Sequence, residues 1–503
     1  MSSDLKRFGR KTSTYTLGNF IYRGASFVLV PLYMRTLTPA DFGILELITT
    51  IGYLVQTLIS AGVAHAALRY YYEYEDERDR HAVISSALIG TFLYVSAAAL
   101  IFALNAGNLS RWLFHSDAYA LPFRLVALLM VLETTREINM AFVRAKERAG
   151  FFIVVSLLQL TVQISATVWT VVYLKLGFVG ILWGTVAATA CVWLLLTLFT
   201  ARHCGLRFEP SRLRPLFGYA APLMLSAMGW STFQYLDRFV LNAFASLTAL
   251  GLFSVALKVG SVIPILVVTP FTNSYGPFRF SIMKRPDAEH LYARTMTYYV
   301  AGAGLVTVAL AGLSHELIRI AATPEYWGAA QLIPFAVIPG FFGGIQYCLQ
   351  TGPLVRKETK CLFYIAIATG AVNIVLVLAL VPTLGAIGAA LAAVGSGIYG
   401  ISHTYVVSQR FYPIAYEFKK LARIVGLGVG LVALAFLIPL NNLWLAIAVK
   451  SAIVACYPLG LFVLGVFTAD ERRAIADAWE QVVARLRGER VPSATAASVS
   501  PGN

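Results

Sequence analysis

Apolar positions in this chain come in long unbroken blocks rather than in stripes or alternations. Fourteen blocks are long enough to cross a hydrocarbon core of ~30 Å, for which ~20 helical residues suffice. They lie at 13–36, 41–66, 83–105, 119–142, 150–173, 178–200, 215–243, 249–276, 295–318, 329–351, 361–382, 385–408, 421–439 and 443–466. Blocks of this length without period-two alternation predict helices, because a lipid-exposed helix satisfies its own backbone hydrogen bonds. The expected fold class is an all-α polytopic membrane protein of about fourteen transmembrane helices.

Charge placement orients the spans. Only 13% of the 503 residues are charged and 58% are apolar, with a mean hydropathy of +0.71; a soluble chain carries about twice that share of charge. With the N-terminus inside, cytoplasmic segments hold 30 of the 40 Lys and Arg residues. Outside loops hold Arg35, Arg111, Arg124, Lys175 and Arg319, and five more lie within spans: Arg23, Arg136, Arg238, Lys258 and Lys450. This asymmetry places both termini in the cytoplasm. It also accounts for the net charge of +15 without nucleic acid as a partner.

The outside loops are short, which excludes a folded extracytoplasmic domain. Cys191, Cys204, Cys348, Cys361 and Cys456 show no metal-ligand spacing and read as apolar filler or free thiols. The basic N-terminus, with Lys6, Arg7, Arg10 and Lys11, lacks a short apolar core followed by a cleavage site, so the first span is expected to be retained. After the last span, Thr468 to Glu471 reads as a capping box. Ile475, Trp479, Val482, Val483 and Leu486 then share one face of a short amphipathic helix, followed by an Ala-, Ser- and Pro-rich tail.

The chain repeats itself. LTPADFGILEL (37–47) matches SLTALGLFSVA (246–256), pairing Gly43 with Gly251, and LGFVGILWG (176–184) matches LGAIGAALA (384–392), pairing Gly177 with Gly385 and Gly180 with Gly388. Each pairing is offset by 208 residues. Six spans per repeat means that both halves enter the membrane from the same side, as in two-lobed transporters with parallel repeats. The expected organisation is an N-lobe at 1–205, a C-lobe at 206–410, a helix pair at 411–467, and a cytoplasmic helix and tail at 468–503.

Polar groups inside spans are expensive and mark function. Thr16, Asn19, Arg23 and Ser26 share a face of the first span; Glu46, Thr49, Tyr53 and Gln56 line the second; Gln159 and Gln163 line the fifth; Gln234, Asp237 and Arg238 mark the seventh. At 1.5 Å per residue, Arg23 and Lys258 each lie roughly 15 Å from a span end, near mid-depth. Neither has an acidic residue within four positions on its own helix, so each is a candidate to bind an anion; a salt bridge to Glu46 or Glu133 across helices is the competing assignment. In the fourth span, Glu133 and Arg136 are spaced to neutralise each other, or Glu133 serves H⁺ or Na⁺ coupling. Asp237 and Arg238 fit either an external ion pair or the site. No phosphate-binding loop, HExxH or GxSxG occurs, so an enzyme is not expected and no cofactor is implied.

SFVLVPLYMRTLTPADFGILEL (26–47), YLDRFVLNAFASLTALGLFSVALKVG (235–260) and LGAIGAALA (384–392) give the chain its resemblance to a known family. It resembles the Wzx-like polysaccharide flippases (O-antigen and exopolysaccharide translocases) of the multidrug/oligosaccharidyl-lipid/polysaccharide (MOP) superfamily. The resemblance implies translocation of an undecaprenyl-diphosphate-linked oligosaccharide by alternating access in the bacterial cytoplasmic membrane. It also implies contact with membrane lipids, and a polysaccharide polymerase and chain-length machinery as partners. Arg23, Lys258 and Asn19 would hold the diphosphate. A cation-coupled multidrug antiporter and a lipid II flippase of the same superfamily are the alternatives.

Overall fold

The computed structural model describes residues 29–466 except 61 and 439. Most of the first span, with Asn19 and Arg23, and the expected C-terminal amphipathic helix lie outside the described residues. Every regular element among the described residues is a helix. Ten helices have the length and apolarity of a membrane span, and one of these, the 52-residue Lys360–Phe411, is two spans divided at Gly385. The helices Ala120–Ala145 (26 residues) and Leu213–Phe244 (32 residues) are also long enough to cross. With the helical end of the first span at 29–36, these elements occupy all fourteen expected positions.

The repeat is visible in the backbone. The second span runs Pro39–Glu73 and the eighth Leu247–Ser281, each 35 residues, with both ends offset by 208. Each starts with a hydroxyl cap at an equivalent position. Thr38 Oγ1 accepts from Asp41 N–H (3.2 Å), and Ser246 Oγ accepts from Ala249 N–H (3.0 Å). Each is also interrupted part-way, the second span at Gly62 (φ 87°) and the eighth by a π-helical turn at Pro264–Val268. Gly177 and Gly385, equivalent in the repeat, share a φ of 57°, in the region that favours glycine.

The second and eighth spans cross at Gly43 and Gly251. A Cβ on Gly251 would strike the Pro39 carbonyl, and one on Gly43 would strike the Leu247 carbonyl. In lipid, helices associate through close packing rather than hydrophobic transfer, and small residues permit this approach. The same ends are tied by hydrogen bonds. Arg35 Nη2 donates to Ile320 O (2.7 Å), Tyr326 Oη to Leu37 O (3.2 Å), and Thr323 N–H to Met34 O (3.3 Å). The turn between the first two spans is therefore held by the segment between the ninth and tenth.

The described residues divide into two compact units, one formed by 29–274 with 314–412 and the other by 275–313 with 413–466. In the second unit, the helices Ala288–Gly312, Phe418–Leu437 and Leu443–Val463 pack together, with the buried Tyr457 against Gly304 and Gly428. Glu417, just before Phe418–Leu437, joins the first two by accepting from Thr297 Oγ1 (2.8 Å) and pairing with Arg294 Nη1 (3.3 Å) and Lys420. Burial opposes its charge, but hydrogen bonds from Lys420 and Thr297 and the charges of Lys420 and Arg294 outweigh that. The carboxyl is held below its usual range.

Two outcomes follow. Gly251→Ala should lower the thermal unfolding midpoint of the detergent-purified chain by forcing the crossing apart, at a cost of about 1–3 kcal/mol. Gly218→Ala, with open space around its Cβ position, should not. Because the Glu417 carboxyl is depressed, its contribution is present above the unfolded-state pKa of ~4.3 and fades as pH falls through the lower folded value. Glu417→Gln should therefore lower the midpoint at neutral pH, by about 2 kcal/mol, and differ progressively less from the wild type on acidification below pH ~4.

Candidate functional site

Four charges converge just beyond the glycine crossing. Glu46 follows Gly43 by less than one turn, and Lys258 follows Gly251 by two turns. The crossing brings them together, with Lys258 Nζ 3.4 Å from Glu46 Oε2. Arg238 of the seventh span stands on the other side of the carboxylate, its Nη2 3.6 Å from Glu46 Oε1. The Arg238 guanidinium also donates through Nη1 to Asp237 Oδ1 (2.8 Å) and to the Gln234 carbonyl (3.3 Å). It lies 4.6 Å from the Tyr235 ring centroid, while Lys258 Nζ lies 5.8 Å from that of Phe42. Two cations and two carboxylates thus form one neutral network bridging both sequence repeats.

The network opens onto a cavity of about 280 Å³. Glu46, Thr49, Tyr53 and Gln56 of the second span line it, at a spacing that puts them on one helical face. Glu133, Gln163, Thr185 and Lys258 complete its polar wall, and Tyr33 and Phe42 add aromatic surface. Lys258 is 37% exposed, so part of its ammonium is available to a guest. Glu133 interacts electrostatically with Arg136, one turn along its own helix. The volume suits a phosphate group or a partly hydrated cation, not an oligosaccharide.

The expected residues separate accordingly. Glu46, Asp237, Arg238 and Lys258 form the network, and Glu133 and Gln163 face the cavity beside it. The absence of a carboxylate near Lys258 holds only along its own helix; across helices Glu46 is its partner. Arg136 lies within electrostatic reach of Glu133, one turn away. It is buried and pairs with the adjacent Glu137 (3.2 Å). Gln159 is buried with no hydrogen-bond partner for its Oε1 among the described residues, and Gln234 contributes its carbonyl rather than its side chain. Asn19 and Arg23 lie outside the described residues. Sequence reasoning missed Thr185, Tyr33 and the rings of Phe42 and Tyr235. Threonine and aromatic residues are common in spans, and only packing makes these four part of a site.

The profile of the "Polysaccharide biosynthesis protein" family matches residues 8–283, more than half of the chain. The chain belongs to that family. No curated protein sequence matches it. Among solved structures, a lipid II flippase MurJ in an inward closed conformation is similar over 88% of this chain and 97% of its own, at 14% identity and a TM-score of 0.66. An inward-facing multidrug resistance MATE family transporter of the MOP superfamily covers 79% and 95%, at 14% identity and a TM-score of 0.61. A MOP superfamily transporter from Pyrococcus furiosus covers 80% and 95%, at 13% identity and a TM-score of 0.50. At such identities these likenesses define the fold, which is that of MOP superfamily transporters. This polysaccharide biosynthesis family member is a multi-pass membrane protein.

The two cations should differ in weight. Arg238→Ala leaves Asp237 without its close partner in a buried setting and should destabilise by about 3 kcal/mol. Lys258→Ala, at a longer and partly solvent-screened contact, should cost under about 1 kcal/mol. Thermal unfolding of the two purified variants checks the order.

Proposed function

We propose that the chain is a flippase that carries a lipid-diphosphate-linked oligosaccharide across the bacterial cytoplasmic membrane by alternating access of its two repeats, for surface polysaccharide synthesis. The observation that carries this is Lys258, a half-exposed ammonium in a polar cavity at the junction of the repeats, in a member of a polysaccharide biosynthesis family. The lysine suits a phosphate oxygen, and the hydroxyl, amide and aromatic groups around it suit sugar. Arg23 and Asn19 would extend the anion site from the first span. A lipid II flippase shares the fold. Both termini would face the cytoplasm, and a polymerase with its chain-length partner would take the product outside.

One observation favours a coupling ion. Glu133 faces the cavity one turn from Arg136 on its own helix, and a carboxylate at that place suits H⁺ or Na⁺. This also keeps the cation-coupled antiporter as the second assignment. Deleting the gene should abolish surface polysaccharide and leave repeat units on the inner leaflet; plasmid-borne wild type should restore them. Lys258→Ala and Arg23→Ala should fail to restore them at normal protein levels, while Arg23→Lys restores part. Unchanged polysaccharide after deletion, with lost tolerance to cationic dyes, would establish the antiporter instead.

A further inference from the structure

The four-charge network is tight on one side and loose on the other. Arg238 holds Asp237 at 2.8 Å, the range of a strong charge-assisted bond, and is 9% exposed. Glu46 is held at 3.4 Å by Lys258 and at 3.6 Å by Arg238, one carboxylate oxygen to each. The Arg238 Nε–H has no hydrogen-bond partner among the described residues, so the guanidinium has unused capacity toward a carboxylate. Lys258 is the more exposed member and borders the cavity. The Glu46–Lys258 contact also links the second span to the eighth, one from each repeat.

We propose that Glu46 is an internal stand-in for the substrate's phosphate: a phosphate entering the cavity takes Lys258, Glu46 transfers wholly to Arg238, and the ionic tie between the repeats is released. This rests on the diphosphate assignment above. A phosphate offers more charged oxygens to the three ammonium donors than a carboxylate does. Glu46 is not stranded by the exchange, because Arg238 already touches it and has a free donor; a buried carboxylate without a partner would oppose it. The phosphate binds best to the untied state, so its binding favours that state by the difference in affinity. Untying is also what the cavity needs, since about 280 Å³ does not admit an oligosaccharide. Before substrate arrives, Glu46 keeps Lys258 neutralised and the repeats together. Glu46 is on this account a positioning residue.

The test uses the full-length chain in nanodiscs, titrated in separate arms with inorganic pyrophosphate and farnesyl diphosphate. Glu46→Gln keeps the Asp237–Arg238 pair and removes only the competitor, so it should bind pyrophosphate about tenfold tighter than wild type. Lys258→Gln should bind at least about tenfold weaker. Spin labels at Thr36→Cys and Ile320→Cys, with Cys191 and Cys456 replaced by serine, report the separation of the repeats. The distance should lengthen in wild type only with ligand, and be long in Glu46→Gln without it. A stronger response to farnesyl diphosphate than to pyrophosphate would assign the phosphate to a lipid; the reverse would assign it to a free anion. Equal affinity and equal label distances in wild type and Glu46→Gln would overturn the exchange while leaving the diphosphate assignment standing. No binding of either compound by either protein would overturn both.

Discussion

The site depends on one close approach, the crossing of the second and eighth spans at Gly43 and Gly251. Backbone carbonyls of each helix occupy the space where the other would carry a Cβ. In a bilayer the lipid is as apolar as the helix surface, so contact depends on how closely two backbones can come. Two small residues at equivalent positions of a repeat provide that contact and set the register of the helices. Glu46 and Lys258 then fall within ion-pair reach.

The charges within the membrane follow from the cost of burying them. A buried ion is tolerated when paired, and the Asp237–Arg238–Glu46–Lys258 network is neutral as a whole. Its contacts are not equivalent: the contact farthest from the cavity is the shortest, and the lysine bordering the cavity is the most exposed. Glu417 shows the contrasting case. Its bond to Thr297 at 2.8 Å and its pairing with Arg294 and Lys420 fasten two helices of the second unit. Tight ion pairs in this protein hold structure, and the long one lies where the guest would bind.

Glu133 adds a requirement that the network alone does not meet. The described cavity holds two carboxylates and one lysine on its wall. An anionic guest would therefore arrive beside a carboxylate, and charge balance favours a proton or metal ion there at the same time.

Span number, the 208-residue repeat and the polar face of the second span were all legible in the amino-acid order. Hydropathy, charge bias and helical period depend only on residues near one another in the chain, as the paired Gly177 and Gly385 turns illustrate. The pairing of the charges was not legible in that way. Lys258 lacked a carboxylate on its own helix, yet Glu46 met it from another. Which charges meet depends on which helices are neighbours and at what depth they cross, and that is decided only when the helices pack.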